Sequence, residues 1–527
     1  MANIFQTVQG RRPKANKFDL SHERKFTFEM GELIPMVVQE VLPGDSFRLQ
    51  TEVMIRLAPM IAPVMHRVNA TVHYYYVPNR IIWDEFEDFI TGGPNGTTNP
   101  VAPYIKVSAG LVDSAYFTTG SLADYMGIPR IPTSVVPSGT KKISALPFRA
   151  YQLIYNEDYR DQNVTSEVTI NKGSGEVAAG DDAVLLTRRK RAWEKDYFTS
   201  ALPWAQRGPE VLIPIEGEGD VTYSPISTLL TQDGDPASAN TLAGTGGLIT
   251  GELVVNKANA AGAGTSGRLE NIDSVFLTNA TTTINELRKS IKLQEWLEKN
   301  ARGGARYTEQ ILSHFGVVSS DARLQRPEYL GGGKTPVIIS EVVSTFQASD
   351  GEGDPQGNMA GHGIAVGNQN KFTRRFEEHG YIIGLISVQP RTAYSQGLPK
   401  HFTRFDRFDY YWPEFANIGE QEVKNQEIYW DPAASDSYNA ATFGYQSRYA
   451  EYKYQPSTTH SLFNTSLDFW HMGRVFAAPP ALNTPFIEAD PTTRIFAVEE
   501  GGGHLICQLY NKIDAYRLMP YYGTPQL

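Results

Sequence analysis

A chain of 527 residues with 46 glycines, 32 prolines and 59 aromatic side chains (7 Trp, 27 Tyr, 25 Phe) has material for a large core and for long, shaped loops between strands. Its 58 carboxylates outnumber its 48 lysines and arginines, and the resulting net charge of −10 excludes a protein that coats nucleic acid with its whole surface. The single cysteine, Cys507, excludes an intramolecular disulfide and a cysteine-rich zinc site, which fits a reducing compartment or stabilisation by other means.

The N-terminal stretch departs from the overall charge. Arg11, Arg12, Lys14, Lys17, Arg24 and Lys25 face only Asp19 and Glu23. Residues 1–30 are polar, have little periodicity and read as an extended basic arm, followed by a single domain over 31–527. A local basic arm on an acidic body points to contact with phosphate, through Arg11, Arg12, Lys14 and Lys17. The plain alternative is a solvated terminus. The start has no apolar stretch of the secretory kind, and no run approaches the roughly 18 apolar residues that span a bilayer, so no membrane partner is expected.

Leu33 to Leu42 is a short apolar run stopped by the turn signal Pro43-Gly44-Asp45. The strongest pattern in the chain follows it. Phe47, Leu49, Thr51, Val53, Ile55 and Leu57 alternate with Arg48, Gln50, Glu52 and Arg56. Val64, Val68, Ala70, Val72, Tyr74 and Tyr76 alternate with Arg67, Asn69, Thr71 and His73. Period-two alternation predicts two long strands, each with one face for a core and one for water or a partner. Pro59 and Pro63 remove ladder donors, so Ala58 to Pro63 is a crossing loop.

Ile82, Trp83, Phe86, Phe89 and Ile90 recur at helical spacing before Gly92-Gly93, and Tyr151, Ile154 and Tyr155 do so in YQLIYNEDYRDQNV. Between them, 93–147 reads as a long ordered loop. Residues 216–283 change character: Gly, Ala, Thr, Ser and Asn dominate, and Tyr223 and Phe276 are the aromatics left. Such a stretch cannot pack a large core and reads as an insertion with short strands at most. Ile284, Leu287, Ile291 and Leu297, widened by Leu293 and Trp296, predict an amphipathic helix ending at Gly303-Gly304. A shorter helix around Glu309 to Phe315 ends at Gly316. Strand signals resume at 337–343, 381–388, 474–478, 494–498 and 504–510, and the apolar run YIIGLISV suits a strand buried on both faces. These elements favour a mainly β protein, one sandwich with large excursions.

Motifs for chemistry are weak. GGGKTP at 331–336 ends like a phosphate-binding loop, but Glu328 stands where the first glycine belongs and Pro336 would disrupt the helix that should follow. Asp350, Glu352 and Asp354 open like a calcium loop, yet Pro355 and Gly361 occupy its required glycine and glutamate positions. His66 and His73 fall on opposite strand faces, and the spacing of His362, His379 and His401 brings no metal site together. No catalytic residue, cofactor-binding residue or metal ligand is therefore assigned. Cys507 inside HLICQLY reads as a core residue.

Longer segments carry more. KFDLSHERKFTFEMGELIPMVVQEVLPGDSFRL, YNEDYRDQN, FTSALPWAQRGPEV, LEKNARGGARYTEQILSHFGV with DARLQRPEYLGG, and HSLFNTSLDFW resemble, in order, the major capsid proteins of the microviruses. These are small icosahedral single-stranded-DNA phages, and the resemblance is closest to the gokushovirus branch. It runs from about Lys17 to the terminal PYYGTPQL and leaves out 216–283. The resemblance implies an eight-stranded jelly roll, a T=1 shell of copies of this chain around circular single-stranded DNA, and an insertion projecting at the threefold axes, where host attachment is expected. It further implies a small basic DNA-condensing protein and other minor virion proteins as partners, a receptor on the host surface, location in the virion, and assembly in the bacterial cytoplasm. A jelly roll alone does not fix function, so a β-sandwich that binds or cleaves glycans is the alternative.

Overall fold

The computed structural model describes residues 14–137, 141–209, 211, 284–304, 306–318, 320–322, 325–343, 359–434, 436–498 and 502–522, with short strands between 219 and 277. Arg11, Arg12, the calcium-like Asp350, Glu352 and Asp354, and most of 216–283 lie outside the described residues. Two compact units are present: Met1–Ala205 with Asn300–Leu527, and Gln206–Lys299.

Eight strands form the frame of the first unit: β1 (His22–Phe28), β2 (Ile34–Val41), β3 (Ser46–Leu57), β4 (Val68–Pro78), β5 (Glu328–Val343), β6 (Met359–Arg375), β7 (Gly380–Pro390) and β8 (Leu505–Arg517). Antiparallel pairing orders one layer β1–β8–β3–β6 and the other β2–β7–β4–β5. β5 belongs to both: Glu328–Val337 pair with β4, and Ile338–Val343 pair with β6. Consecutive strands alternate between layers except β4 and β5, which are neighbours in one layer, and this is the interleaving of an eight-stranded jelly roll.

The pattern at 46–57 is realised residue by residue. Along β3 every second side chain from Phe47 to Leu57 is buried, and β8 alternates in the same way from Leu505 to Ala515. Both point into one core with Val72, Tyr74, Ile382 and Ile386 of the opposite layer. Each such aliphatic or aromatic side chain contributes roughly 1.5–3 kcal/mol on burial. Cys507 is part of this core, as expected, and burial pushes its thiol up to about 12.

β4 departs from expectation. Val64 and Arg67 precede the strand, and its second face is not open to water. Tyr75 and Val77 join Leu33, Trp83, Phe148, Tyr151 and Ile383 in a second core, built on the outside of the β2–β7–β4–β5 layer by residues 81–186. The reason lies in the excursion between β4 and β5. Its helix Leu146–Ile154, continued by a wider turn over Tyr155–Tyr159, lays Tyr151 and Ile154 onto the sheet. The stretch 93–147, expected as loop, holds short helices at Ala109–Asp113 and Leu122–Met126. β7 is buried on both sides for the same reason, as YIIGLISV predicts.

Three further differences have local causes. Residues 16–28, expected within the extended arm, are strands: Asn16–Asp19 and β1 both pair with β8. β1 is an edge strand, so His22, Glu23, Lys25 and Thr27 face solvent, while Phe26 and Phe28 mark its buried side together with Arg24, which donates to the Tyr125 carbonyl. The runs 474–478 and 494–498 make single bridges, from Arg474 to Tyr394 and from Phe496 to Met60. β6 has no strand signal in its sequence, because glycines interrupt the alternation in MAGHGIAVGNQN. GGGKTP lies within β5, in register with Val72 and Thr71, and not at a helix start.

In the second unit, strands pair as Gly219–Thr222 with Ser274–Leu277, and Val254–Lys257 with Thr265–Arg268 and Thr241–Leu242. The helix Ile284–Gly303 forms where predicted. Its apolar stripe is exposed at Ile284, Leu287 and Ile291, while Leu297 is covered.

Candidate functional site

The described residues offer little for catalysis. No three His, Cys, Asp or Glu side chains among them group to hold a metal. His66 is bonded to the Arg391 carbonyl and His73 to the Tyr159 hydroxyl, so the two face different surroundings. A large cleft beside β1, lined by Arg24, Phe26, Arg56 and Tyr125, contains one carboxylate, Asp124. A glycosidase needs two across a cleft. A second cleft has several, but Glu451 is bound by Arg404 and Glu427 by Lys400.

The segment after β7 has a different chemistry. From Lys400 to Ile418 the chain runs through three tight turns, Lys400–Thr403, Arg407–Asp409 and Pro413–Phe415. Prolines and short hydrogen-bonded turns keep it from forming a helix or strand. Asp409 accepts from the backbone N–H groups of Asp406 and Phe405, both at 2.9 Å, and these bonds hold its carboxyl below the usual range. Phe402, Phe405, Tyr410 and Ile418 stand out from these turns, with Phe405 90% exposed.

Support from beneath makes this surface rigid. Arg404 is nearly buried, pairs with Glu451 at 3.0 Å and lies 4.2 Å from the centre of the Tyr452 ring. Tyr411 packs edge-on against Tyr449, whose hydroxyl accepts from the Trp412 N–H at 3.2 Å. Trp412 closes the loop by donating from Nε1 to the Arg407 carbonyl at 2.9 Å. Tyr449 itself sits at φ +59°, a left-handed conformation uncommon for a large side chain, and its N–H is held by Gln421. Exposed aromatic side chains on a preorganised support are what a protein interface uses as anchors. Apart from its aromatic content, no sequence signal marks this stretch, because its order comes from distant Glu451 and Tyr449.

The residues predicted to meet phosphate divide. Lys14 is exposed. Lys17 lies on the strand Asn16–Asp19, and its ammonium binds Asp514 at 2.9 Å, a hydrogen bond that raises its pKa. The pair is half-exposed and contributes little to stability.

A family model described as "Capsid protein (F protein)" matches residues 6–527. The chain is 37% identical to capsid protein VP1 of Chlamydia phage 1, over all of this chain and 98% of the relative. It is also 37% identical to capsid protein VP1 of Bdellovibrio phage phiMH2K, over 97% of this chain and 95% of the relative. Capsid protein VP1 of Spiroplasma virus 4 is 31% identical over 99% and 97%. The resemblance drawn from the sequence therefore holds from end to end, across 216–283 as well. Likeness that runs the full length of the chain and of its relatives leaves one placement: the chain belongs to the capsid protein (F protein) family of the microviruses, and its role is structural and not enzymatic.

Proposed function

We propose that the chain is the major subunit of a T=1 icosahedral shell enclosing circular single-stranded DNA. The observation that carries the reading, beyond family membership, is the rigid aromatic surface at Lys400–Ile418. A lone subunit gains nothing from holding Phe402, Phe405 and Tyr410 in water, whereas a neighbouring copy that covers them removes apolar area at about 25 cal/mol per Å². The basic N-terminal residues Arg11, Arg12 and Lys14 meet phosphate on the inside. Lys17, already held by Asp514, contributes less. A chain of net charge −10 leaves most of the condensing charge to a small basic virion protein.

The stretch 216–283 serves as the outward projection and host-attachment element. Its composition suits a variable tip on a rigid scaffold, and variation there costs the core nothing. Sedimentation and negative-stain microscopy of the expressed protein test the shell reading. Closed particles are expected, and a strictly monomeric protein with every viral partner present overturns it. Deleting Thr241 to Gly267 tests attachment: particles should assemble and adsorb poorly. Normal adsorption removes the attachment role.

A further inference from the structure

The β4–β7 ladder continues one step past Val68 and Pro390, where the Arg391 N–H donates to the Arg67 carbonyl at 2.9 Å. Arg67 and Arg391 therefore stand directly opposite one another. Both are exposed, and both line a cleft of about 480 Å³. Like charges placed opposite one another on paired strands repel, so the pair is unfavourable until an anion sits between them. The cleft around the pair is firmly built. Tyr394 holds Ser457–Thr459 alongside, donating to the Ser457 carbonyl at 2.9 Å and accepting from the Thr459 N–H at 3.2 Å. Met65 is fixed by its N–H bond to the Trp470 carbonyl at 2.8 Å. The buried His471 accepts from the Gly473 N–H at 2.9 Å and donates to the Phe463 carbonyl at 2.7 Å, which holds the Phe463 wall.

No carboxylate lines the cleft among the described residues, and neither arginine has an ion-pair partner among them. The carboxylates around it are mostly committed elsewhere. Asp196 accepts from the hydroxyl of the lining residue Thr392, from the Tyr394 hydroxyl at 2.7 Å and from the N–H groups of Phe198 and Thr199. Glu194 interacts with Arg391 through space but is bound by Lys334 at 2.6 Å. Asp468 lies 3.9 Å from Arg494. Glu341 borders the adjoining hollow, which shares Met65, His66 and Arg67 with the cleft, and makes no ion pair among the described residues. Two arginines thus face inward, and the one unpaired carboxylate stands outside.

We propose that this cleft binds a phosphomonoester carried on a small ring, with the phosphate between Arg67 and Arg391 and the ring against Phe463 and Met65. The proposal is independent of the shell reading. Charge selects the ligand. A phosphomonoester carries roughly −1.5 to −2 at pH 7 and offers three acceptor oxygens, so one group satisfies both arginines. A carboxylate, or the diester phosphate of a nucleic-acid chain, brings a single charge and leaves half of the repulsion in place. Guanidinium forks also match phosphate oxygens in pairs. The cleft, at about 480 Å³, has room for more than a bare phosphate ion. Its apolar side at Phe463 and Met65 suits the face of a sugar or a nucleobase.

The test is isothermal titration of the full-length protein with dTMP and with ribose 5-phosphate. At least one should bind, and the tighter of the two identifies the ring as base or sugar. Arg67→Gln and Arg391→Gln should each weaken that binding about tenfold or more, since each removes a charge-assisted fork. Both side chains are exposed, so a melting curve should show the fold intact. No binding of either ester, or wild-type affinity in both variants, overturns the inference. A thymidine dinucleotide joined by one phosphodiester should bind the wild-type protein at least about tenfold more weakly than the ester, a comparison that needs no variant. Equal affinity overturns the monoester assignment. Inorganic phosphate binding as tightly as the ester overturns the role of the ring. Closed particles that fail to take up an ester bound by free subunits overturn the inference in favour of a contact between copies of the chain.

Discussion

The Tyr74 hydroxyl on β4 donates to Thr51 Oγ1 on β3 at 2.6 Å, joining the two layers through the middle of the sandwich. Both residues are fully buried. Thr51 in turn donates to Asn511 Oδ1 on β8 at 2.8 Å. A polar chain in a core of this kind is tolerated because each member has a partner, and it fixes how the layers sit on one another.

Tyr74→Phe should therefore cost about 1–2 kcal/mol, since Thr51 keeps its bond to Asn511 and loses one donor. Thr51→Val should cost more, because it leaves both the Tyr74 hydroxyl and Asn511 without this partner. Chemical denaturation of the two single variants and the double variant measures the coupling. Strict additivity would show that the bond does not link the layers.

His73 gives the fold a pH dependence. Its Nδ1 lies 2.8 Å from the Tyr159 hydroxyl, and burial, then Arg191 and Lys334, lower its pKa to about 4. The unfolded chain binds this proton more tightly, near pH 6.5, so stability is present above that value and is lost as pH falls from about 6.5 to 4. The loss is about 2–3 kcal/mol. His73→Gln should flatten the thermal midpoint across this window, and an unchanged slope would assign the acid loss elsewhere.

Gly332 on β5 faces β4 so closely that a Cβ would lie 2.1 Å from the Val72 carbonyl oxygen. Backbone, not a movable side chain, occupies that space. Gly332→Ala should shift the β4–β5 pairing and cost roughly 2–4 kcal/mol. Hydrogen exchange of the β4 amides reports it directly: protection should fall there before it falls in β8.

Phe405 tests the aromatic surface. At 90% exposure it supports nothing in the single subunit, so Phe405→Ser should alter subunit stability by no more than about 0.5 kcal/mol. Particle formation should suffer far more, because aromatic anchors dominate interface energy. Light scattering during assembly, beside a melting curve of the subunit, separates the two effects. Wild-type assembly would place the interface elsewhere.

Legibility followed the reach of each interaction. β3 and β7 were visible because alternation and continuous apolarity are local consequences of having one or two covered faces. β6 was not, since Gly361, Gly363 and Gly367 interrupt its alternation with positions that carry no side chain. Residues 22–28 look like part of an extended arm because the partner that makes them a strand, β8, is almost 500 residues away and their own side chains are mostly polar. The candidate surface was hidden for a related reason: Phe402 and Phe405 look like core residues until Arg404 is seen tied to Glu451 beneath them.

By itself the sequence determined the class of fold, the absence of any recognisable catalytic motif, the change of character over 216–283 and the family. Each of these resides in local pattern, composition or long ordered identity. Only the tertiary structure decided that β4 is covered on both faces, that Lys17 is already spent on Asp514, and that Arg67 and Arg391 line one cleft. Those cations stand 324 residues apart in the chain, from 67 to 391, and no spacing rule links them. Antiparallel pairing, which sets a strand's neighbours by register and not by order, is what brings them together.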